Sequence, residues 1–169
     1  MEPLDIVYEL DRLMVPGLLA GKQVVITAGP TYEPIDPVRF IGNRSSGKMG
    51  FAIAQAAREA GAKVTIIAGP VQLATPPAVR RINVETTEEM ALAVEDSLEA
   101  CDIFISCAAV SDYRPTQVQR EKIKKTSELS IQIELEPTID IVSTVTNRHN
   151  KPSFVVGFAA ETHNLTEYA

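Results

Sequence analysis

The sequence predicts an α/β domain of Rossmann-like, three-layer α/β/α architecture, with a mainly parallel sheet and an added half-exposed strand and flap. Three observations carry that expectation. Short β-branched runs (QVVITA, KVTIIA, DIFISCAA) alternate with stretches of helical periodicity (KMGFAIAQAAREAG, TEEMALAVEDSLEA) in the order β-α-β-α-β. The runs are continuously apolar, so both sheet faces need cover, which indicates parallel strands joined by right-handed crossovers. The 169 residues suit one core, at roughly 150 residues per domain.

Taken in order, residues 1–20 read as a linker or short amphipathic helix: Ile6, Leu10, Leu13 and Met14 fall at helical spacing before Pro16 and Gly17 break it. The domain proper spans 21–169. Its first strand leads into a connection from Thr27 to Lys48, several times the roughly 2–6 residues usual for such links. Gly61 marks the end of the first helix, and Thr87 before Glu88 and Glu89 marks the start of the second. After Ala109 the rhythm changes. Residues 111–128 read as a long loop or flap, and LSIQIEL (Leu129–Leu135) alternates like a half-exposed strand. A helical stretch from Asp140 to Arg148 precedes FVVGFAA (Phe154–Ala160), which reads as a buried strand. The final ETHNLTEYA opens a helical pattern and stops, as a chain truncated at its C-terminus would.

Composition narrows the function. Two cysteines, Cys101 and Cys107, without CxxC spacing or a Cys/His cluster, indicate neither a disulfide framework nor structural zinc, and fit a reducing cytoplasm. No apolar run reaches the roughly 18 residues of a membrane span, and the acidic start is unlike a signal peptide. A net charge of −6 argues against a general grip on nucleic acid. Against that background, Arg114, Arg120, Lys122, Lys124 and Lys125 with Glu121 form a local island of +4. It suggests an anionic ligand, a solvated loop being the alternative.

Four segments carry candidate chemistry. Gly42–Lys48, GNRSSGK, satisfies part of a phosphate-loop pattern, but Met49 replaces the magnesium-binding hydroxyl and Gly42 lies far from the strand, which excludes a Walker-type NTPase. Ser45, Ser46 and Gly47 before a helix still suit an anion, the alternative being a serine cap with glycines kept for packing. The first turn, AGPT, lacks GxGxxG, and the second strand ends without a ribose-binding acid, so a nicotinamide cofactor is disfavoured. SCAAVSDYR (Ser106–Arg114) supplies small residues, Ala108 and Ala109, against which a flat ligand can lie, and a carboxylate, Asp112, for a hydroxyl, an amide or a metal. Tight packing explains the alanines equally well. Cys107 reads as a small hydrophobe. EKIKK (Glu121–Lys125) suits a lid that neutralises a triphosphate. His149 and His163 read as surface residues.

Together, ITAGPTYEPIDPVRFIGNRSSGKMG, CAAVSDYR, EKIKK, DIV (Asp140–Val142) and VVGFAAET resemble phosphopantothenoylcysteine synthetase, the ligase domain of the bacterial bifunctional coenzyme A biosynthesis flavoprotein, from about Gly21 to Ala169 in the family's order. The resemblance implies a cytoplasmic, CTP-binding ligase. 4′-Phosphopantothenate attacks the α-phosphate of CTP to give an acyl-cytidylate and pyrophosphate, and the amine of cysteine then displaces CMP. Magnesium accompanies the nucleotide; Asp112 is the one residue placed near it. The implied catalytic residues are Asn43, binding the acyl group and serving the cysteine half-reaction, and Lys122, stabilising charge at the α-phosphate. Arg39 would contact phosphopantothenate across a homodimer interface, and Ala108, Ala109 and Asp112 would line the shared pocket. Ser45, Ser46 and Gly47 would take phosphate. Ser106, Cys107, Ile139, Asp140, Ile141, Val142 and Phe158 would form the other nucleotide walls. A flavin-dependent decarboxylase domain would lie N-terminal in the native protein, with no flavin in this chain.

This chain has Ile139 where the family has proline before Asp-Ile, and it stops before the family's further lysines. Two rival readings remain: an NAD(P)-dependent reductase, from the β-α-β order, and a non-catalytic dimerisation fragment, from the abrupt C-terminus.

Overall fold

The computed structural model describes residues 7, 17–125 and 130–159. In chain order the elements are β1 (Gln23–Ala28), β2 (Tyr32–Pro34), β3 (Phe40–Gly42), α1 (Lys48–Glu59), β4 (Lys63–Ala68) and β5 (Arg80–Asn83). Then follow α2 (Thr87–Ser97), β6 (Ile103–Ser106), β7 (Tyr113–Pro115), β8 (Leu135–Pro137), α3 (Ile141–Thr146) and β9 (Phe154–Gly157). The expected helix over residues 3–14, Leu129 and the final ETHNLTEYA lie outside the described residues, apart from Val7.

The central sheet is parallel throughout, in the order β5-β4-β1-β6-β9. Its three layers follow from the two-residue period of strands. On β1, Val24, Ile26 and Ala28 face α1, packing with Phe51, Ala54 and Ala57; Val25 faces the other way, towards Met90 and Val94 of α2 and Ile141 and Val145 of α3. The fold class is therefore as the sequence predicts.

The helix ends obey local rules. Gly61, at φ 93°, lets the Gly61 and Ala62 N–H groups return to the carbonyls of Arg58 and Ala57. Helix α2 begins one residue earlier than expected. Thr86 is its cap, accepting from the Glu89 N–H while the Glu89 carboxylate reaches back, and Thr87 is the first helical residue.

Several elements depart from the sequence reading. Strand β5, RRIN, is unexpected because its two arginines mask the pattern; it adds to β4 at the sheet edge. The long first connection folds into the antiparallel β2–β3 hairpin, with Tyr32 stacked on Phe40 at 3.8 Å. The alternating LSIQIEL does not form the expected strand. Only Leu135–Pro137 pairs, with Tyr113–Pro115, and Pro115 and Pro137 are tolerated there because the bonds on either side, Thr116 N–H to Glu134 O and Thr138 N–H to Asp112 O, come from their neighbours. Ile131, Ile133 and Leu135 are left 57%, 43% and 42% exposed. FVVGFAA is not a buried strand either: β9 is the sheet edge beyond β6, and Phe154 and Val156 are exposed.

Candidate functional site

From β1 the chain winds outward through β4 to β5, then returns via α2 to β6 on the other side of β1. That reversal makes the carboxyl ends of β1 and β6 the switch point of the sheet, where open α/β sheets bind ligands. Both candidate segments, Thr27–Lys48 and Ser106–Arg114, leave the sheet here.

Their geometry is set by buried hydroxyls. Thr27 is fully buried, and its Oγ1 accepts from the N–H groups of Cys107 and Ala108 at 3.2 and 3.3 Å. The Ala109 N–H donates to Gly29 O at 2.8 Å, so the alanines form a half-buried ledge against the first turn. Beyond them, the Ser111 N–H donates to Thr31 Oγ1 (2.9 Å), which lies 3.0 Å from Thr87 Oγ1. Thr87 donates through both N–H and Oγ1 to Glu33 Oε1, at 2.8 and 2.7 Å. Thr138 Oγ1 donates to Ser111 O at 2.6 Å. Four segments, around residues 27–33, Thr87, residues 107–111 and Thr138, are thereby pinned behind the mouth.

In front of this network, Asn43 Nδ2 donates to Val110 O at 2.7 Å, closing the GNRSSGK loop onto the alanine segment 67 residues away. The Ser45 hydroxyl accepts from the Gly47 N–H at 3.3 Å, which leaves its own proton to donate. Gly47 holds φ 73° at the N-cap of α1, with no side-chain cap. Serine therefore does not cap α1, and its first N–H groups face the loop without a side-chain acceptor. Gly50 is required by close approach: a Cβ there would lie 2.6 Å from the Ala28 Cβ.

The lysine segment is held to the same loop. Buried Asp36 accepts at Oδ1 from the N–H groups of Val38 (2.8 Å) and Arg39 (2.9 Å). At Oδ2 it accepts from Arg39 Nη1 (2.7 Å) and the Ile123 N–H (3.0 Å). Arg39 Nη1 and Nη2 both donate to Ile123 O at 3.2 Å. Burial raises the Asp36 pKa, but the N–H donors of Ile123, Val38 and Arg39 and the Arg39 charge together hold it below the usual carboxylate value. Arg120, Lys122, Lys124 and Lys125 are exposed and form no ion pair among the described residues. Arg114 differs from its neighbours in the basic island: it bridges Glu136 at 2.9 Å and Glu88 at 3.1 Å.

The other candidate residues fall as follows. Asp112 projects an exposed carboxylate without a hydrogen bond among the described residues, while its carbonyl accepts from the Thr138 N–H. Ser106 ends β6, and its carbonyl accepts from the Phe158 N–H at 3.2 Å; the Phe158 side chain is exposed. Burial pushes the Cys107 thiol pKa up, which disfavours a thiolate. Ile139 is exposed, and Asp140 caps α3 by accepting from the Ser143 N–H at 2.8 Å. The Ile141 side chain lies in the core, so only its backbone is available to a ligand. Val142 is half-buried, and His149 is exposed; His163 lies outside the described residues.

Sequence reasoning passed over Thr27, Thr31, Glu33, Asp36 and Thr138 and read Thr87 only as a helix start. Of those passed over, only Asp36 carried a signal, since Asp before proline favours a turn.

Fold, switch point and loops define the class: a doubly wound, Rossmann-like α/β domain with a ligand crevice between its first and fourth sheet strands in chain order. Within that class, residues 19–169 match the DNA/pantothenate metabolism flavoprotein C-terminal domain, and the chain belongs to that family. It is 48% identical over its full length to the Coenzyme A biosynthesis bifunctional protein CoaBC of Vibrio parahaemolyticus, spanning 43% of that protein. It is 55% identical over 86% of its length to the Escherichia coli protein of the same name, spanning 36% of it. The chain thus spans less than half of these curated relatives. The crystal structure of a CoaBC C-terminal domain superposes with a TM-score of 0.78 at 46% identity, over 89% of this chain and 70% of that one.

Proposed function

We propose that the chain is the ligase unit that joins 4′-phosphopantothenate to L-cysteine through an acyl-cytidylate, in coenzyme A biosynthesis. The substrate carboxylate attacks the α-phosphorus of CTP and pyrophosphate leaves. The neutral amine of cysteine then attacks the acyl carbon, CMP departs, and the amine loses a proton. The observation that carries this reading is the Asn43–Val110 bond at 2.7 Å, which draws the GNRSSGK loop and the alanine ledge into one mouth at the switch point.

Roles follow from chemistry and position. Asn43 holds the acyl group for cysteine attack. Lys122 stabilises charge at the α-phosphate, and Ser45, Ser46 and Gly47 at the uncapped start of α1 accept phosphate oxygens. Ala108, Ala109, Asp112, Ser106, Cys107, Phe158 and the 139–142 turn line the nucleotide. A groove of about 350 Å³ beside Arg39, lined by Ile35, Ile131 and Ile133 and flanked by Lys124 and Lys125, suits an apolar acyl arm with an anionic end. Magnesium would travel with the nucleotide: among the described residues no three His, Cys, Asp or Glu side chains cluster, so Asp112 would contribute one oxygen and the phosphates and water the rest. The ion supplies charge neutralisation; the chain supplies orientation.

The exposed Val38, Phe40, Ile131, Ile133 and Leu135 support a homodimer face. The name of the longer relatives, a bifunctional protein, and the family's description as the C-terminal domain of a flavoprotein support a second domain on the N-terminal side, which in this reading is the flavin-dependent decarboxylase. Two free cysteines fit the cytoplasm. The test is pyrophosphate release from CTP, magnesium and 4′-phosphopantothenate, followed by amide formation on adding cysteine. Absence of both with protein extended to the length of its relatives would refute the reading.

A further inference from the structure

We propose that Asp36 is a positioning residue that sets the place of the lysine segment relative to the Asn43 loop, acting through the backbone of Ile123. The chemistry it would serve rests on the ligase reading; the contact stands on geometry alone.

The two carboxylate oxygens of Asp36 do different work. Oδ1 closes the turn in its own loop through Val38 and Arg39, whereas Oδ2 reaches Ile123, 87 residues further on. Arg39, held at 2.7 Å by the same Oδ2, grips the Ile123 carbonyl with both terminal nitrogens. Both polar groups of the Ile123 backbone are thus fixed, and the two flanking peptides carry Lys122 and Lys124. The Gln119 N–H adds a bond to Ile35 O at 2.9 Å. An exposed segment with three lysines in five residues has self-repulsion and little apolar burial, so among the described residues this latch is the main polar contact that selects its position. Arg39 runs directly into β3 and then Asn43, which is docked on Val110. Asp36 therefore sits between the residue assigned to nucleotide charge and the residue assigned to the acyl group.

The Asp36 carboxylate is wholly buried and meets only donors: three backbone N–H groups and one guanidinium nitrogen. Asn at this position keeps one oxygen for the turn but puts an amide donor opposite Arg39 and the Ile123 N–H, breaking the link between segments with minimal change of shape.

The experiment compares wild type, Asp36→Asn and Arg39→Lys, the last retaining charge but losing the two-nitrogen grip. Hydrogen exchange at the Ile123 amide should accelerate about tenfold or more in Asp36→Asn, while amides of β1 and β4 stay protected. Pyrophosphate release should fall about 10- to 100-fold in kcat, with KM for cysteine unmoved, and the double variant Asp36→Asn/Lys122→Gln should be little slower than Lys122→Gln alone. Arg39→Lys should fall between. An Ile123 amide that stays protected in Asp36→Asn, or one that opens with pyrophosphate release unchanged, overturns the proposal. Wild-type protein that releases no pyrophosphate refutes the ligase reading instead, and the latch then stands or falls on exchange and on tryptic cleavage after Lys122 and Lys124.

Discussion

Replacing Thr27 with valine tests whether the alanine ledge is held by a hydroxyl or merely by packing. The two side chains are nearly isosteric, so the change deletes the acceptor for the Cys107 and Ala108 N–H groups without opening a large cavity. An orphaned buried donor costs about 1–3 kcal/mol. Both bonds are long, at 3.2 and 3.3 Å, and both donors belong to half-buried residues, so the lower bound applies to each. The expected loss is about 2 kcal/mol in total, or about 4–8 °C in Tm for a domain of this size. Thr27→Ser keeps the acceptor and gives up one buried methyl, about 0.8 kcal/mol. Urea unfolding of the three proteins should therefore rank wild type, then serine, then valine, and CTP binding should weaken in the valine variant alone. A valine variant as stable as the serine one would show that packing alone sets the ledge.

Gly50→Ala gains about 1 kcal/mol of helix propensity but pushes a methyl into Ala28 at 2.6 Å. Overpacking should win, with a net loss of about 1–2 kcal/mol on urea unfolding; a stabilised variant would contradict the close approach. Asn43→Asp should slow the cysteine half-reaction more than cytidylate formation, and Lys122→Gln the reverse, by about 100-fold each in single-turnover assays; equal losses in both steps would argue against the division of roles. Acid should weaken the Asp102 contacts. The Gln23 N–H at 2.8 Å and the Lys22 ammonium at 2.9 Å hold its pKa below 3.8, so the stabilisation exists above that value and disappears as pH falls through the folded-state pKa. Asp102→Asn should accordingly be less stable at about pH 7 and converge on wild type once the pH lies below the folded-state pKa of Asp102. A difference that persists in acid would assign the effect to something other than ionisation.

The layers and the switch point were legible because they follow from periodicity: the alternation of β-branched runs with amphipathic helices fixes which side chains face which layer, and Val24, Ile26 and Ala28 against Val25 are a direct result. Single-residue features were legible where stereochemistry demands one residue type, as at Gly61. Pairing was not. LSIQIEL has the alternation of a half-covered strand, but a strand requires a partner of matching length, and YRP offers three residues ending in proline. Nor could the sequence separate RRIN from a loop, since an edge strand needs only four residues and tolerates charge.

The same distinction explains what was found and missed at the mouth. Asp112 and the lysines of EKIKK stood out because polar groups in long loops at strand ends have little structural reason to be there, whereas Asn43 and the particular role of Lys122 came from the family resemblance. Thr27 and Thr31 were invisible because threonine is an ordinary strand residue; its hydroxyl matters only once another chain segment places amides opposite it, through contacts 80 residues apart. Glu33 shows why such contacts are structural rather than decorative. A wholly buried carboxylate oxygen that takes both donors of Thr87 at the first turn of α2 is compensated only while the helix start, the β2 hairpin and the Ser111 segment stay in register. Losing any one partner leaves the others desolvated. The buried network behind the mouth thus couples its segments to one another, while Asn43 and Asp112 on the loops it holds stay exposed.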